Sequence, residues 1–211
     1  MTSLEQILIH QHIWQASQSV TPTVSGVPSG HPELDAALPG GVWPQGALTE
    51  ILYDHPGIGE LRLITPLLSQ LSTEPAWQLW INPPWQPYGP ALAQAGIALE
   101  NLLLIKRASP RDCLWAFEQG LRSGACSIVL GWLAHLKASD LRRLQLAAAA
   151  TNAIAILFRP TQLANQSSPA VLRVLLDRQN GQTGFSILKR RGGWPLPRRL
   201  LNLPSPVPCS V

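Results

Sequence analysis

The chain has few charged residues and few cysteines, and each scarcity excludes a class of protein. Only 13% of its 211 residues are Asp, Glu, Lys or Arg. The three cysteines, Cys113, Cys126 and Cys209, have neither a paired metal-binding spacing nor the even count of a disulfide scaffold. We therefore expect a reduced, cytoplasmic chain without a structural metal. No run reaches the ~18 apolar residues of a membrane span, so we predict no membrane contact.

Acidic residues are absent after Asp177, and this makes the end of the chain strongly basic. Residues 1–177 carry 10 Lys and Arg against all 12 Asp and Glu, a formal charge of −2. The remaining residues carry a formal charge of +6. Their cations are Arg178, Lys189, Arg190, Arg191, Arg198 and Arg199. This distribution favours an anionic partner, although a solvated tail that only aids solubility explains the same charges.

Short apolar stretches alternate with helical patterns through the middle of the chain. The stretches WQLWI, NLLLI, CSIVLGWL and AIAILF each precede or follow a helical segment. This alternation predicts an α/β fold with a mostly parallel sheet and helices on both faces. The pair Asn180–Gly181 predicts a final antiparallel hairpin. We expect an amino-terminal helix and linker over 1–31, a core domain over 32–188, and a basic, proline-rich tail over 189–211.

The segment LYDHPGIGEL, residues 52–61, lies where a phosphate-binding loop would lie, between a predicted strand and a predicted helix. Such a loop reads G-x-x-x-x-G-K-[ST], and its lysine, hydroxyl and backbone N–H groups hold phosphates and magnesium. When its second glycine is placed at Gly59, Asp54 takes the first glycine position and Glu60 takes the lysine position. The residues of this degenerate loop are Asp54, Gly57, Gly59, Glu60 and Leu61. Two like charges ~4 Å apart repel by about 4 kcal/mol at an effective dielectric near ~20, so we predict that no nucleotide binds.

The other groups that ATP hydrolysis needs are missing as well. The acid that positions magnesium should end the predicted strand SIVL, but Gly131 stands there. The carboxylate that orients the attacking water should follow WQLWI, where the chain has Asn82. No lysine precedes Lys106. We therefore predict a protein that is not an enzyme and needs no cofactor.

Exposed aromatic and basic residues are the remaining candidates for a functional site. Four of the eight tryptophans lie in loops or at strand ends, namely Trp43, Trp85, Trp132 and Trp194, and the last three are the binding candidates. An exposed indole there would suit a partner protein, although packing in the core explains any one of them as well. The basic candidates are Lys189, Arg190, Arg191, Arg198 and Arg199. Together with Trp194 they suit single-stranded DNA or a peptide motif that grips a partner.

Several segments, taken in order, resemble known proteins. They resemble the RecA-like fold and, more closely, a family of SOS-response proteins called ImuA, together with the related SulA family of cell-division inhibitors. The ImuA-like segments are SGHPELDAALPGGVWPQGALTEIL, YGPALAQAGI, RDCLWAFEQGLRSGAC and LKRRGG. The SulA likeness covers mainly residues 47–160 and is strongest in WQLW, IVLGWL and LFRP. SulA-like chains lack the long lead-in and the basic hairpin tail found here, which favours ImuA.

The ImuA resemblance implies a non-enzymatic adaptor with a RecA-like core that acts in SOS-induced translesion DNA synthesis and mutagenesis. Its implied partners are an ImuB-like inactive Y-family polymerase, RecA and an error-prone replicative-type polymerase. Single-stranded DNA on the basic tail and self-association as a homo-oligomer are further expectations. The SulA resemblance implies the alternative, a cell-division inhibitor that binds FtsZ and blocks septation.

Overall fold

The computed structural model describes residues 24–203 of the chain. The predicted amino-terminal helix lies outside this range, as do residues 204–211 of the predicted tail. Within the described residues, strands and α-helices alternate from the strand Ala47–Tyr53 to the strand Ile154–Pro160, and three more strands follow.

Eight strands form one sheet, whose order in space is β10-β9-β8-β3-β7-β6-β4-β5. The ten strands of the described chain are β1 (Gly26–Val27), β2 (Trp43–Pro44), β3 (Ala47–Tyr53), β4 (Trp77–Ile81), β5 (Leu102–Ile105), β6 (Cys126–Trp132), β7 (Ile154–Pro160), β8 (Leu172–Gln179), β9 (Gln182–Lys189) and β10 (Leu196–Leu200). Strands β3 to β8 run parallel, whereas β9 is antiparallel to both β8 and β10. Strands β1 and β2 form a separate antiparallel pair. The prediction of a mostly parallel sheet that ends in an antiparallel hairpin is confirmed.

Helices cover both faces of the sheet, as the alternation predicts. The five α-helices of the described chain are α1 (Pro32–Asp35), α2 (Glu60–Leu71), α3 (Gly89–Gln94), α4 (Pro110–Arg122) and α5 (Ala138–Ala149). Helices α1 and α2 pack on one face, and α4 and α5 pack side by side on the other. Over residues 24–203, none of the helices combines the length and the apolar character that crossing a lipid bilayer requires.

The central strand β3 is buried along its whole length because both of its faces are covered. Ile51 and Tyr53 contribute to the apolar layer beneath α2, and Leu48 contributes to the layer beneath α4 and α5. A strand that is covered on both sides reads as a continuous apolar run rather than an alternating one. This burial fixes the loop that follows Tyr53 at the carboxyl edge of the sheet.

Helix α4 begins where its sequence supplies the start signals. The Ser109 hydroxyl accepts a hydrogen bond from the Asp112 N–H at 3.2 Å, which satisfies one donor of the first turn. Pro110 occupies the first helical position, where no N–H is needed. The start of α4 follows from these local interactions.

The carboxyl-terminal hairpin turns at the predicted pair, and the sheet extends one strand further than predicted. Asn180 and Gly181 both have positive φ, 51° and 78°, which a tight two-residue hairpin turn requires. The chain then returns as β10, which pairs with β9 from Leu196 to Leu200. Residues 189–200, which we assigned to a tail, therefore include the end of β9 and a whole edge strand. Pro197 is compatible with β10 because an edge strand tolerates a missing N–H.

Candidate functional site

The loop between β3 and α2 is filled by a side chain of the protein itself. The Glu60 carboxylate turns back into the loop, where Oε1 and Oε2 accept hydrogen bonds from the Gly57 N–H at 2.9 and 3.0 Å. Oε2 also accepts the Gly59 N–H at 3.2 Å. Glu60 is 4% exposed, and both glycines have positive φ, 93° and 121°. The loop amides at the start of α2 therefore already bind an anion.

This geometry gives a physical role to the acidic residue that replaces the lysine. A carboxylate in the first turn of a helix is stabilised by the helix dipole and by the free N–H groups. A phosphate at the same place would compete with Glu60 for the same donors and would be repelled by its charge. Asp54 lies outside this arrangement: it is exposed, and its Oδ1 accepts a hydrogen bond from the Thr161 hydroxyl. Leu61 packs against the apolar layer beneath α2.

A row of aromatic rings lies along the carboxyl edge of the sheet beside this loop. Tyr53 and Phe158 meet edge to face, with ring centroids 6.1 Å apart. Phe158 stacks on Trp132 at 4.6 Å, and Trp132 lies 6.2 Å from Trp80. The indole N–H groups of Trp80 and Trp132 have no hydrogen-bond partner among residues 24–203. In an open α/β sheet this edge is the usual ligand crevice, and here rings occupy it.

Tyr53 connects the aromatic row to the acidic loop. Burial, together with the smaller effect of the nearby Glu60 charge, raises the pKa of Tyr53 to about 12. The phenol therefore remains neutral at physiological pH and does not serve as a base. Burial likewise raises the pKa of the thiols of Cys113 and Cys126, which makes both poor nucleophiles.

Two candidate positions lie in the core: Gly131, where the magnesium-binding acid is missing, and Trp132, a candidate binding residue. Gly131 faces α4, and a Cβ atom built on it would lie 2.7 Å from Cδ2 of Phe117. A carboxylate at this position would collide with the Phe117 ring and would point away from α2. Trp132 is 8% exposed and stacks within the aromatic row, so its indole is not a surface anchor.

A buried ion cluster lies at the centre of the sheet, and sequence reasoning missed it. Glu50 of β3 is fully buried and binds two arginines that are themselves buried. Its Oε1 lies 2.6 Å from Nη1 of Arg159, and its Oε2 lies 2.6 Å from Nε of Arg173. In the sequence, Glu50, Arg159 and Arg173 each place a charged side chain inside an apolar strand. Only the order of the strands in the sheet shows that these three side chains meet.

The two arginines also hold the loops at the carboxyl edge of the sheet. Arg173 donates from its guanidinium to the carbonyl oxygens of Leu163, Ala164 and Gln166 at 2.9 to 3.0 Å. Arg159 donates to the carbonyl of Ala134 at 3.3 Å, in the loop before α5. The cluster therefore fixes two connecting segments to the sheet. Removing one member leaves uncompensated buried charge, which is strongly destabilising.

The basic candidates lie at the β10 end of the sheet, and three of them have structural partners. The Lys189 ammonium donates to the Ser168 carbonyl at 2.8 Å, and Nε of Arg198 lies 2.7 Å from Oδ1 of Asp177. Arg190 donates to the carbonyls of Ala37 and Trp194 at 2.8 and 3.0 Å. The exposed members are Lys189, Arg191, Trp194 and Arg199. Trp194 is 85% exposed, in the connection before β10.

The opposite end of the sheet carries an exposed apolar surface around β5, which we call the edge patch. It consists of Trp85, Tyr88, Leu99 and Leu103. Trp85 and Tyr88 are 71% and 61% exposed, and Leu103 of β5 is 43% exposed. Within residues 24–203, β5 pairs only with β4, so its outer backbone groups are unpaired. The structure thus separates the predicted candidates: Trp85 lies at one edge, the basic residues lie at the other, and Trp132 lies between them in the core.

Comparison with known proteins identifies relatives of this chain. A family model described as "Cell division inhibitor SulA" matches residues 46–155. The chain is 39% identical over 100 residues to Cell division inhibitor SulA of Edwardsiella piscicida, which covers 47% of this chain and 60% of the relative. It is 34% identical over 115 residues to the proteins of that name from Yersinia pestis and Yersinia pseudotuberculosis, which covers 54% of this chain and 68% of each relative.

These comparisons correct the functional prediction. The family model and the curated relatives carry the SulA description, so the prediction of an ImuA-type adaptor in translesion synthesis and mutagenesis is wrong. The predicted partners, an ImuB-like polymerase, RecA and an error-prone polymerase, are wrong with it. The expectations of single-stranded DNA binding and self-association belong to that role and are not retained. The amino-terminal segment and the basic hairpin were the wrong basis for choosing the family, because the family model matches the central part of the chain, residues 46–155.

Proposed function

The chain belongs to the SulA family of cell division inhibitors, and from this premise we propose that it inhibits cell division by binding FtsZ and blocking septation, without catalysing a reaction. The match to the family over residues 46–155 is the observation that carries this proposal. The SOS response is common to both resemblances in the sequence, and we retain it as the setting in which the protein acts.

The edge patch is the surface that we assign to FtsZ. It lies inside the part of the chain that matches the family, and it offers two large aromatic side chains beside an unpaired strand edge. Aromatic residues of this kind dominate the binding energy of protein interfaces. Lys106 and Arg107 are exposed at the carboxyl end of β5 and give the patch a basic rim. The basic candidates near β10 lie at the far end of the sheet and outside the matched region.

Overexpression in a bacterium that lacks its own SulA tests the function. Cells that make the wild-type chain should grow as filaments without septa, while their DNA remains undamaged. Normal division at a level of soluble protein confirmed by immunoblot would refute division inhibition. Because DNA damage is absent, filaments in this strain report the inhibitor itself and not the response that induces it.

A pair of variants tests the surface. Trp85→Ala combined with Tyr88→Ala removes the two most exposed aromatics of the edge patch. Loss of a hot-spot aromatic costs about 2 kcal/mol or more, which is about 30-fold in Kd, so binding to purified FtsZ should fall at least that far. Trp194→Ala is the control, because it removes an indole that is also largely exposed but lies at the opposite edge of the sheet. If only the control lost binding, the assignment of the edge patch would be wrong.

The finer description of the fold is also a proposal. We propose that the domain is RecA-like with a degenerate phosphate loop. The order β3, glycine-bearing loop, α2 supports this, as does the position of the Glu60 carboxylate against the loop N–H groups. An experimental structure whose topology superimposes on that of a RecA-type ATPase would test it.

A further inference from the structure

Trp194 presents an exposed indole from a backbone that is held in place. The side chain is 85% exposed, in the connection before β10. The Trp194 carbonyl accepts a hydrogen bond from Nε of Arg190 at 3.0 Å, and Nη1 of the same guanidinium donates to the Ala37 carbonyl at 2.8 Å. Pro195 follows and restricts the backbone of Trp194 to extended conformations. Binding through this indole therefore requires little further ordering of the chain.

Two cations that have no acidic partner lie along the same edge of the sheet. Arg191 lies in the turn that the Arg190–Gly193 bridge closes, and Arg199 lies in β10. Both are exposed, and neither takes part in an ion pair among residues 24–203. The sequence has no Asp or Glu after Asp177, whose carboxylate already pairs with Arg198. This edge is therefore positively charged and has no anion of its own.

The outer edge of β10 does not favour the addition of another strand. Pro195 and Pro197 have no N–H to donate, and the register between β9 and β10 shifts between Leu196 and Arg199. A partner would therefore be held by side chains and not by a continuous backbone ladder. We call the exposed side chains that are available for this contact the Trp194 surface, and they are Arg191, Trp194 and Arg199.

We propose that the Trp194 surface docks an extended, acidic segment of a partner protein, with the indole as its anchor. Tryptophan and arginine are the residue types that contribute most often to the binding energy of protein interfaces. Carboxylates of the segment would complement Arg191 and Arg199, because guanidinium groups bind carboxylates through paired N–H donors. Trp194 and Arg199 are five residues apart in the sequence. That separation is roughly 17 Å along an extended chain, so about six residues of the partner would reach from one to the other.

The same surface suits a protein segment better than single-stranded DNA. Lys189, Arg190 and Arg198 donate to oxygen atoms of the protein itself, which leaves few cations to follow a phosphate backbone. Successive bases stack on several aromatic side chains. Over residues 156–203, the only aromatic side chain that is exposed is Trp194.

The Trp194 surface is separate from the surface that we assign to FtsZ. It lies beyond residues 46–155, the part of the chain that matches the family model. It also lies at the β10 end of the sheet, whereas the edge patch lies at the β5 end. Loss of the Trp194 surface should therefore leave division inhibition unchanged, so a failure of one proposal can be told from a failure of the other.

Fluorescence anisotropy with two labelled peptides tests the proposal on the full-length chain. One peptide consists of five Glu-Pro repeats and the other of five Gln-Pro repeats, so both are extended and they differ in charge. The acidic peptide should bind saturably at low ionic strength. The neutral peptide should bind about tenfold more weakly or worse, because it lacks charge-assisted hydrogen bonds. Trp194→Ala should weaken binding of the acidic peptide by about tenfold or more, as should Arg191→Gln combined with Arg199→Gln.

The chain offers a matched control for each kind of variant. Trp115→Ala removes an exposed indole from α4, and Arg142→Gln removes an exposed guanidinium from α5. Both changes lie outside the Trp194 surface, so the affinity for the acidic peptide should be that of the wild-type chain.

Four outcomes would overturn the proposal. The first two are absence of saturable binding of the acidic peptide and equal affinity for the acidic and neutral peptides. The third is an equal loss of affinity in Trp194→Ala and in the control variants. The fourth is a different occupant. Tighter binding of a short oligothymidylate than of the acidic peptide, lost in Trp194→Ala, would assign the surface to nucleic acid. A lower sedimentation mass of the free chain in Trp194→Ala would assign it to a second copy.

Discussion

Removing the Glu60 carboxylate should destabilise the protein by an amount that the loop geometry sets. In Glu60→Ala the N–H groups of Gly57 and Gly59 lose the acceptor that they share. A hydrogen bond to a charged group contributes about 1.5 to 3 kcal/mol. Gly57 is exposed, so water can replace the carboxylate there, whereas Gly59 is buried and its donor is left unsatisfied. We therefore expect the free energy of unfolding to fall by about 2 to 4 kcal/mol.

Urea unfolding followed by tryptophan fluorescence measures this loss. Glu60→Gln keeps one acceptor oxygen but loses the charge, so its loss should be about half as large. Glu74→Ala, a change at an exposed position, should stay within about 0.5 kcal/mol of wild type. Sulfate should stabilise Glu60→Ala more than it stabilises the wild-type chain, because the emptied amides can take an anion. If the urea midpoint of Glu60→Ala equals that of the wild-type chain, the carboxylate does not hold the loop.

Three further changes probe the rest of the site. Glu50→Gln should lower the free energy of unfolding by about 3 to 5 kcal/mol, because two buried arginines lose their counter-charge; urea unfolding within 1 kcal/mol of wild type would contradict this. Gly131→Ala should cost about 1 to 3 kcal/mol, since the new methyl group meets the Phe117 ring, and Phe117→Leu in the same chain should recover part of the loss; equal losses with and without Phe117→Leu would argue against the clash. As pH rises from 10 through 12, the wild-type chain should lose stability relative to Tyr53→Phe. The reason is that the buried phenol has a pKa of about 12, whereas the phenol of the unfolded chain has a pKa near 10.0. If the free energies of unfolding of the two chains changed in parallel with pH, the raised pKa would be refuted.

The fold was predictable wherever the pattern was local. The apolar strands, the Ser109 start of α4 and the Asn180–Gly181 turn each depend on a few neighbouring residues. Strand β10 was not predictable in the same way, because Pro195 and Pro197 are typical of a loose tail. Only pairing with β9 makes residues 196–200 a strand, and that pairing is a long-range contact.

The candidate site was predictable in its chemistry but not in its geometry. The sequence shows that Glu60 replaces a lysine, but not that its side chain folds back onto Gly57 and Gly59. It places Trp85 and Trp132 alike near strand ends, whereas the strand order puts one at an exposed edge and the other in the core. The choice between two SOS-related families was also wrong, because the segments at the ends of the chain outweighed the central region that carries the family match.

The most direct test of the proposal that the chain inhibits division by binding FtsZ uses purified components. FtsZ is assembled under its own polymerising conditions, the chain is titrated in with and without ATP, and sedimented polymer is measured. The polymer yield should fall as the chain approaches equimolar FtsZ, and ATP should make no difference, because Glu60 already occupies the loop amides. Undiminished polymer at excess chain, or inhibition that appears only with ATP, would contradict this mechanism.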